Sequence, residues 1–274
     1  DTNSCLSALS AKRLKIPIFH LEAGNRCFDQ NVPEEINRKI VDHISDINLT
    51  YTENARKYLL MEGLRKDFIF NVGSPMKEIL NSYKKQISKS EILEKLKLIK
   101  NEYIVVSVHR EENLDISDNF SNILDAIDEV SSNNDKQIIF STHPRTRKKL
   151  EEMKRDKNSK ISYIKPLGFF DYIFLQLNAF VTLSDSGTLA EEASLLKFPS
   201  VSLRNSTERP EAIDSGSLIL GSVDKNNIIN SINLALNLKN IIEPSDYDSP
   251  NCSEKVIKII QGYTSIVNSE VWKK

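Results

Sequence analysis

The residues equipped for chemistry stand where apolar, strand-like runs end. Glu22 closes the run Ile16–Leu21, and His109 with Arg110 closes the run that starts at Tyr103. His143 follows Gln137–Ser141, and Asp185-Ser186-Gly187 follows Phe180–Leu183. Asp1, Glu34, Arg38 and Arg209 complete the set. Carboxylates can move a proton, while imidazoles, arginines and unpaired backbone N–H groups can neutralise an anion. That inventory fits proton transfer on a phosphorylated ligand. No HxH or HExxH pattern gathers metal ligands, and neither a GxSxG nor a CxxC nucleophile occurs. His20 and His43 read as structural.

The stretch from Leu183 to Ala212 reads as strand, tight turn, helix, strand and loop. Ala190, Ala193, Leu195 and Leu196 give the helix its apolar positions, and Pro199 stops it. A Ser-Gly turn at a helix start aims several unpaired N–H groups and the positive end of the helix dipole at one spot, which suits a phosphate. One turn in, Glu191 and Glu192 offer a carboxylate to a diol such as a ribose. Taken alone, the stretch fits an ordinary βα turn with a serine N-cap equally well.

Around these residues strands and helices alternate. Pro33-Glu34-Glu35 opens a helix through Ile44, with proline first and acids in the first turn. On it, Glu34 and Arg38 stand at i,i+4, a spacing worth only about 0.3–0.5 kcal/mol when exposed. Strands are predicted over Asp46–Tyr51 and Phe68–Val72, with a helix over Glu53–Glu62. The lysine-rich region Met76–Lys100 reads as a solvated helical connector. A second run begins with the apolar strand at Tyr103, then a helix over Phe120–Val130 and strands over Gln137–Ser141 and Ile161–Ile164. Next come an apolar helix after Gly168, a strand over Leu218–Gly221, and helices over Asp224–Leu238 and Ser253–Val267. Two βα runs separated by a charged linker predict an α/β fold of two Rossmann-like domains with parallel sheets and a ligand cleft between them. The expected division is 1–80, 81–252, and a C-terminal helix over 253–274 that packs back toward the first domain.

The chain has 274 residues, enough for two medium domains with real cores. Its charges nearly cancel, at net −1, so no basic surface argues for nucleic acid and no acidic tail for a solvating role. No apolar run has membrane-spanning length, which argues against a membrane partner. Three cysteines (Cys5, Cys27, Cys252) without zinc or redox spacing point to a reduced, cytoplasmic protein. The first residues, Asp1-Thr2-Asn3-Ser4, run straight into a helix spaced by Leu6, Leu9 and Leu14. They look like the end of a βα turn whose strand lies upstream, so the chain is expected to be a fragment with an incomplete first domain.

Together, Asp1–Ser4, His20-Leu-Glu-Ala-Gly24, Pro33-Glu-Glu-Ile-Asn-Arg38, Val108-His-Arg-Glu-Glu-Asn113, Asp185-Ser-Gly187, Glu191-Glu192 and Thr207-Glu-Arg-Pro-Glu211 resemble the non-hydrolysing UDP-N-acetylglucosamine 2-epimerases. The resemblance covers almost the whole chain in order. Within the family it is most similar to the branch that forms UDP-N-acetyl-L-fucosamine from UDP-2-acetamido-2,6-dideoxy-L-talose. The stretches that suggest this are Glu22–Asp29, Lys39–His43, Tyr51–Glu53, Gly73-Ser74 with Met76–Glu78, and Ser186–Thr188.

The resemblance implies a GT-B-like architecture and a homodimer that makes precursors of surface polysaccharide, with no metal or nicotinamide cofactor. It implies that Ser186, Gly187 and Thr188 hold the UDP diphosphate, Glu192 the ribose, and Tyr172 the uracil, while His109 and Arg209 neutralise the phosphates. Asp1, Glu22 and Glu34 would surround the sugar as acid and base, with Arg38 orienting Glu34. His143 matches a position that helps bind a second, activating UDP-sugar. Thr188 departs from the usual glycine, and Asn25 and Cys27 stand where leucine and threonine are usual, in a loop that faces the sugar. The alternatives carried by the same residues are the UDP-GlcNAc/UDP-ManNAc epimerase, a hydrolysing relative, and a UDP-binding fragment without activity.

Overall fold

The structure is a computed structural model that describes residues 2–115, 118–133, 135–155, 158–238 and 240–274. In chain order it forms α1 (Thr2–Arg13), β1 (Phe19–Leu21), α2 (Pro33–Ile44), β2 (Ile47–Thr50), α3 (Glu53–Met61), β3 (Ile69–Asn71) and α4 (Met76–Ser82). Then follow α5 (Lys84–Ser88), α6 (Ile92–Leu96), β4 (Tyr103–Ser107), α7 (Glu111–Asp115), α8 (Asn119–Asn133), β5 (Gln137–Ser141), α9 (Pro144–Glu152) and β6 (Ile161–Ile164). The rest is α10 (Phe169–Leu177), β7 (Val181–Ser184), α11 (Leu189–Leu196), β8 (Ser200–Ser202), α12 (Pro210–Asp214), β9 (Ile219–Leu220), α13 (Lys225–Asn237) and α14 (Cys252–Ile266).

The chain divides into two compact units. The first comprises Asp1–Asn81, Glu208–Glu211 and Pro244–Lys274, the second Ser82–Thr207 and Ala212–Glu243. Residues 208–211 and 244–252, expected in the second domain, thus belong to the first. The physical reason is a set of tertiary bonds that periodicity does not register. The Tyr247 hydroxyl donates to Glu211 at 2.8 Å in a buried spot, the Glu53 N–H donates to Asp246 at 3.0 Å, and Ser249 Oγ donates to the Val72 carbonyl at 3.2 Å.

The first unit is built on a parallel sheet of order β1-β2-β3. Every residue of β2 is buried, as a central parallel strand covered on both faces must be. One face packs Ile47, Leu49 and Val72 against Cys252, Val256, Ile259 and Tyr263 of α14. The other face brings Ile69 to Leu59 of α3 and to Ala23. Helix α3 is capped by Thr52, whose side chain accepts from the Ala55 N–H. The leucine spacing of α1 does not describe a buried stripe here. Leu6, Leu9 and Leu14 are exposed, Leu14 at 70 %, and Cys5 is the buried apolar position.

The second unit holds a parallel sheet of order β6-β5-β4-β7-β8-β9, the doubly wound Rossmann arrangement. Strand β4 shows the alternation of a covered strand. Ile104 and Val106 join the cluster of Ile123, Ile127, Ile228 and Ile232 under α8 and α13, while Tyr103 and Val105 join Ile92 and Leu175 under α6 and α10. Both units are therefore α/β with parallel sheets. The region read as a solvated connector folds instead into α4, α5 and α6. Ile87 and Ile92 are buried, the Tyr83 ring lies against Phe170, and Ser90 bonds to Asp171 at 2.5 Å. Its many lysines form the outer side of helices whose few apolar residues anchor them. Helix α9, absent from the sequence reading, starts at Pro144 with His143 as its N-cap.

Candidate functional site

In the first unit the chain leaves β1 at Glu22, whose backbone takes the left-handed conformation (φ 67°), unusual for a residue with a side chain. Gly24 follows at φ 80°, and a Cβ there would lie 2.4 Å from the Ala55 carbonyl, so only glycine fits. The corner is fixed by charge. Asp42 of α2, fully buried, accepts the Gly24 N–H at 3.2 Å on each oxygen, His20 Nδ1 at 2.7 Å and Arg26 Nη1 at 2.7 Å. The side chain of Arg26 is itself fully buried and also clasps Glu62 with Nε and Nη2, both at 2.7 Å. Burial pulls its pKa down, but Glu62 and Asp42 outweigh that and leave it above the ordinary arginine value. Two turns earlier on α2, Glu35 accepts the N–H groups of Cys27 at 3.0 Å and Phe28 at 3.3 Å.

Glu22 itself projects to solvent with its side chain 47 % exposed. It accepts from Arg209 Nη2 at 2.6 Å and from Asn25 Nδ2 at 3.0 Å. Arg209, expected on a diphosphate, is thus set on the Glu22 carboxylate in this structure. Arg38 differs from expectation. Its guanidinium lies 3.5 Å from Glu35 and 4.0 Å from Glu208, not on Glu34. The cause is rotational. Two backbone donors of the loop draw Glu35 inward, which turns Glu34, one residue earlier, to the exposed side of α2. Asp1 lies outside the described residues.

In the second unit His109 and Asp185 follow β4 and β7, the adjacent strands at which the sheet order reverses. Asp185 is fully buried and accepts the N–H groups of His109 (3.1 and 3.0 Å) and Arg110 (2.9 Å) as well as Asn113 Nδ2 (3.0 Å). His109 Nδ1 stands 3.1 Å from the same carboxylate. Burial alone would raise the Asp185 pKa; the His109 hydrogen bond and charge and the two backbone donors more than reverse this and hold it below the usual range.

The turn after Asp185 is not a serine cap. Helix α11 begins at Leu189, its N-cap is Thr188 in helical conformation, and no side chain caps it. Ser186 Oγ bonds instead to Thr188 Oγ1 at 3.1 Å. Among the described residues no main-chain bond uses the N–H groups of Gly187 and Thr188. They are open donors at a helix start, the arrangement that binds anions. Glu192, one turn on, is buried; burial pushes its carboxyl above the ordinary 4.5, against hydrogen bonds from Thr188 and Gln176. The half-buried Tyr172 of α10 turns its hydroxyl to Ser107 and Ser184, and burial, then the Glu192 charge, push its pKa up. Ser186, Gly187, Thr188, Glu192, Tyr172 and His109 therefore share one strand-end edge. His143 stands one strand over, after β5, exposed and accepting the Arg145 N–H at 3.4 Å.

The family's sequence model, described as UDP-N-acetylglucosamine 2-epimerase, matches residues 1–261. The chain belongs to that family. It is 38 % identical over 268 residues to the UDP-N-acetylglucosamine 2-epimerase of Methanocaldococcus jannaschii, covering 95 % of this chain and 73 % of the relative. It is 32 % identical over 239 residues to a UDP-2,3-diacetamido-2,3-dideoxy-D-glucuronate 2-epimerase of Pseudomonas aeruginosa, covering 86 % and 66 %. Among solved structures, that of the Rickettsia bellii UDP-N-acetylglucosamine 2-epimerase matches with a TM-score of 0.91 at 44 % identity, over all of this chain and 75 % of that one. The M. jannaschii enzyme in complex with UDP-GlcNAc and UDP matches with a TM-score of 0.89 at 38 % identity, over 96 % and 74 %. The family is one of isomerases.

Arg26, Glu35 and Asp42 received no role from the sequence, although positions 35, 38 and 42 share one face of α2 by helical spacing. That face was the available signal. Among the described residues no group of three or more His, Cys, Asp or Glu side chains is arranged to hold a metal ion, and no helix is long and apolar enough to cross a membrane.

Proposed function

We propose that the protein epimerises a UDP-N-acetylhexosamine at C2. The observation that supports this most directly is Glu22, a carboxylate in a left-handed corner at a strand end, aimed by Arg209 and Asn25. The carboxylate takes the C2 proton while the C1–O bond breaks and its electron pair leaves with UDP. A C1=C2 double bond forms, giving a 2-acetamidoglycal. A proton is then delivered to the opposite face of C2 from a second group, and UDP re-adds at C1. Glu34 is free on the exposed side of α2 to serve as that group. The open N–H groups of Gly187 and Thr188, with His109 held by Asp185, stabilise the departing diphosphate. One such donor is worth about 2.7–4 kcal/mol in other oxyanion sites. Glu192 accepts the ribose and Tyr172 borders the uracil.

The sugar is set by residues 25–32. The motif set around Glu22–Asp29 supports UDP-2-acetamido-2,6-dideoxy-L-talose as substrate and UDP-N-acetyl-L-fucosamine as product, a precursor for surface polysaccharide. The Methanocaldococcus jannaschii and Rickettsia bellii relatives support UDP-GlcNAc. Incubating the protein with each nucleotide sugar in D₂O decides. Deuterium entering C2 of a re-isolated UDP-sugar, followed by proton NMR, is the expected result, and the sugar that exchanges faster is the substrate. Release of UDP and free sugar would mark a hydrolysing relative. Calorimetric UDP binding with no exchange in either sugar would leave a binding fragment and end the epimerase reading.

A further inference from the structure

At the edge of the first unit's sheet opposite β1, a groove of about 700 Å³ runs along β3. Strand β3 is the edge of its sheet among the described residues. The register Thr50↔Asn71 and the Val72 N–H bond to the Thr50 carbonyl fix which main-chain groups face inward. Phe70 and Val72 point to β2, so Ile69 and Asn71 point outward by the alternation of a parallel ladder. The Ile69 N–H is used by the Lys66 carbonyl. The Ile69 carbonyl and both main-chain groups of Asn71 have no hydrogen-bond partner among the described residues. Three backbone groups thus line an open trough between α3 on one side and α14 on the other.

The trough is charged in one sense. Arg56, Lys66, Lys255 and Lys258 line it against a single carboxylate, Asp67, which its neighbour Arg65 already clasps. This stands out on a chain of net charge −1. Lys255 is held by the Val72 carbonyl and Ser249, and Lys258 pairs along α14 with Glu254. Arg56 Nε is buried with no hydrogen-bond partner among the described residues, and Arg56 approaches Glu53 at only 3.8 Å. Lys66 is exposed. Lysines beside an edge are a common guard against sheet-to-sheet association, and here they work against a second copy of this chain. Pairing β3 with its own equivalent would set the same cations against one another. A guard alone, however, does not call for a trough of this size floored by Ile69, Phe70, Val72 and Ile259.

We propose that the edge of β3 is a docking site for an extended acidic peptide segment of a partner protein, which adds as a fourth strand. Main-chain bonds to Ile69 and Asn71 provide the register, apolar side chains fill the floor, and carboxylates meet Arg56, Lys66 and Lys258. The epimerase reading is not needed for this, and the test does not use activity. A fluorescein-labelled eight-residue peptide alternating valine and glutamate is titrated by anisotropy, with the valine–lysine peptide as control. The acidic peptide is expected to bind, more weakly as salt rises, and to slow hydrogen exchange at the Asn71 amide. The K66E/K258E double variant, whose side chains are exposed, should fold normally and weaken binding by about tenfold or more. Equal binding of the two peptides, indifference to K66E/K258E, or an unprotected Asn71 amide overturns the proposal. So does self-association through this edge, seen in sedimentation and lost in K66E/K258E.

Discussion

The loop after β1 and the turn after β7 are both strand ends in parallel sheets, yet they are finished in opposite ways. The first, Glu22–Val32, is tied on the inside by charge: Asp42 and Glu35 of α2 take its backbone N–H groups, and Arg26 closes the network onto Glu62. The second, Ser186–Thr188, leaves the N–H groups of Gly187 and Thr188 unused among the described residues at the start of α11. In the proposed reaction the Glu22 carboxylate has to be held before substrate arrives, and the fixed counter-charges of its loop suit that role. A phosphate brings its own charge, so the turn proposed to meet it is best left with donors open.

The largest effect expected on this contrast is chemical. Glu22→Gln should lower the rate of deuterium incorporation at C2 by about 10²–10⁴-fold, the usual contribution of a positioned base, while UDP affinity measured by calorimetry stays within a factor of two or so. Loss of UDP binding in step with exchange would show that the two regions do not divide the labour. Asp42→Ala comes next. It removes one of the two carboxylates that hold the buried guanidinium of Arg26 and leaves the Gly24 N–H without its acceptor, and should cost about 1–3 kcal/mol in urea unfolding. Retention of wild-type stability would mean that the loop is not held by this network.

Smaller effects sharpen the second region. The Asp185 carboxyl sits below its ordinary 3.8 in the fold, so its stabilisation is present above that pH and is lost as pH falls through the lower folded value. Asp185→Asn should therefore lose about 1–3 kcal/mol at pH 7 and show less acid sensitivity than the parent in thermal melts. Glu192 has the opposite sign. Its folded-state carboxyl lies above 4.5, so its cost is absent below that pH and grows as pH rises toward the folded value. Glu192→Gln should raise Tm at pH 7 by about 2–4 °C for each kcal/mol recovered, leave Tm at pH 4 unchanged, and weaken UDP binding through the ribose. A fall in Tm at pH 7 would place the carboxylate in a different, favourable contact.

Much of this was readable along the chain. The Pro33-Glu34-Glu35 start put α2 over Pro33–Ile44, and the apolar runs at Ile47, Tyr103 and Ile138 became covered parallel strands. The edge residues Glu22, His109 and Ser186 followed from where those runs stop. These are decisions made within a few residues by capping, proline geometry and the alternation of side chains. Pairing was not readable. Helical spacing offered Arg38 to Glu34, but two loop N–H groups draw Glu35 inward and give Arg38 that partner instead. The resemblance implied a phosphate role for Arg209, and the fold laid its guanidinium against Glu22, 187 positions away in sequence. The lysine-rich stretch after Met76 looked solvated because its average is polar, while its packing rests on Leu80, Ile87 and Ile92. Residue type and spacing set which groups could act and on which edge they stand. Which charge meets which was decided only in the tertiary structure, because burial selects among several partners that the chain alone leaves equivalent.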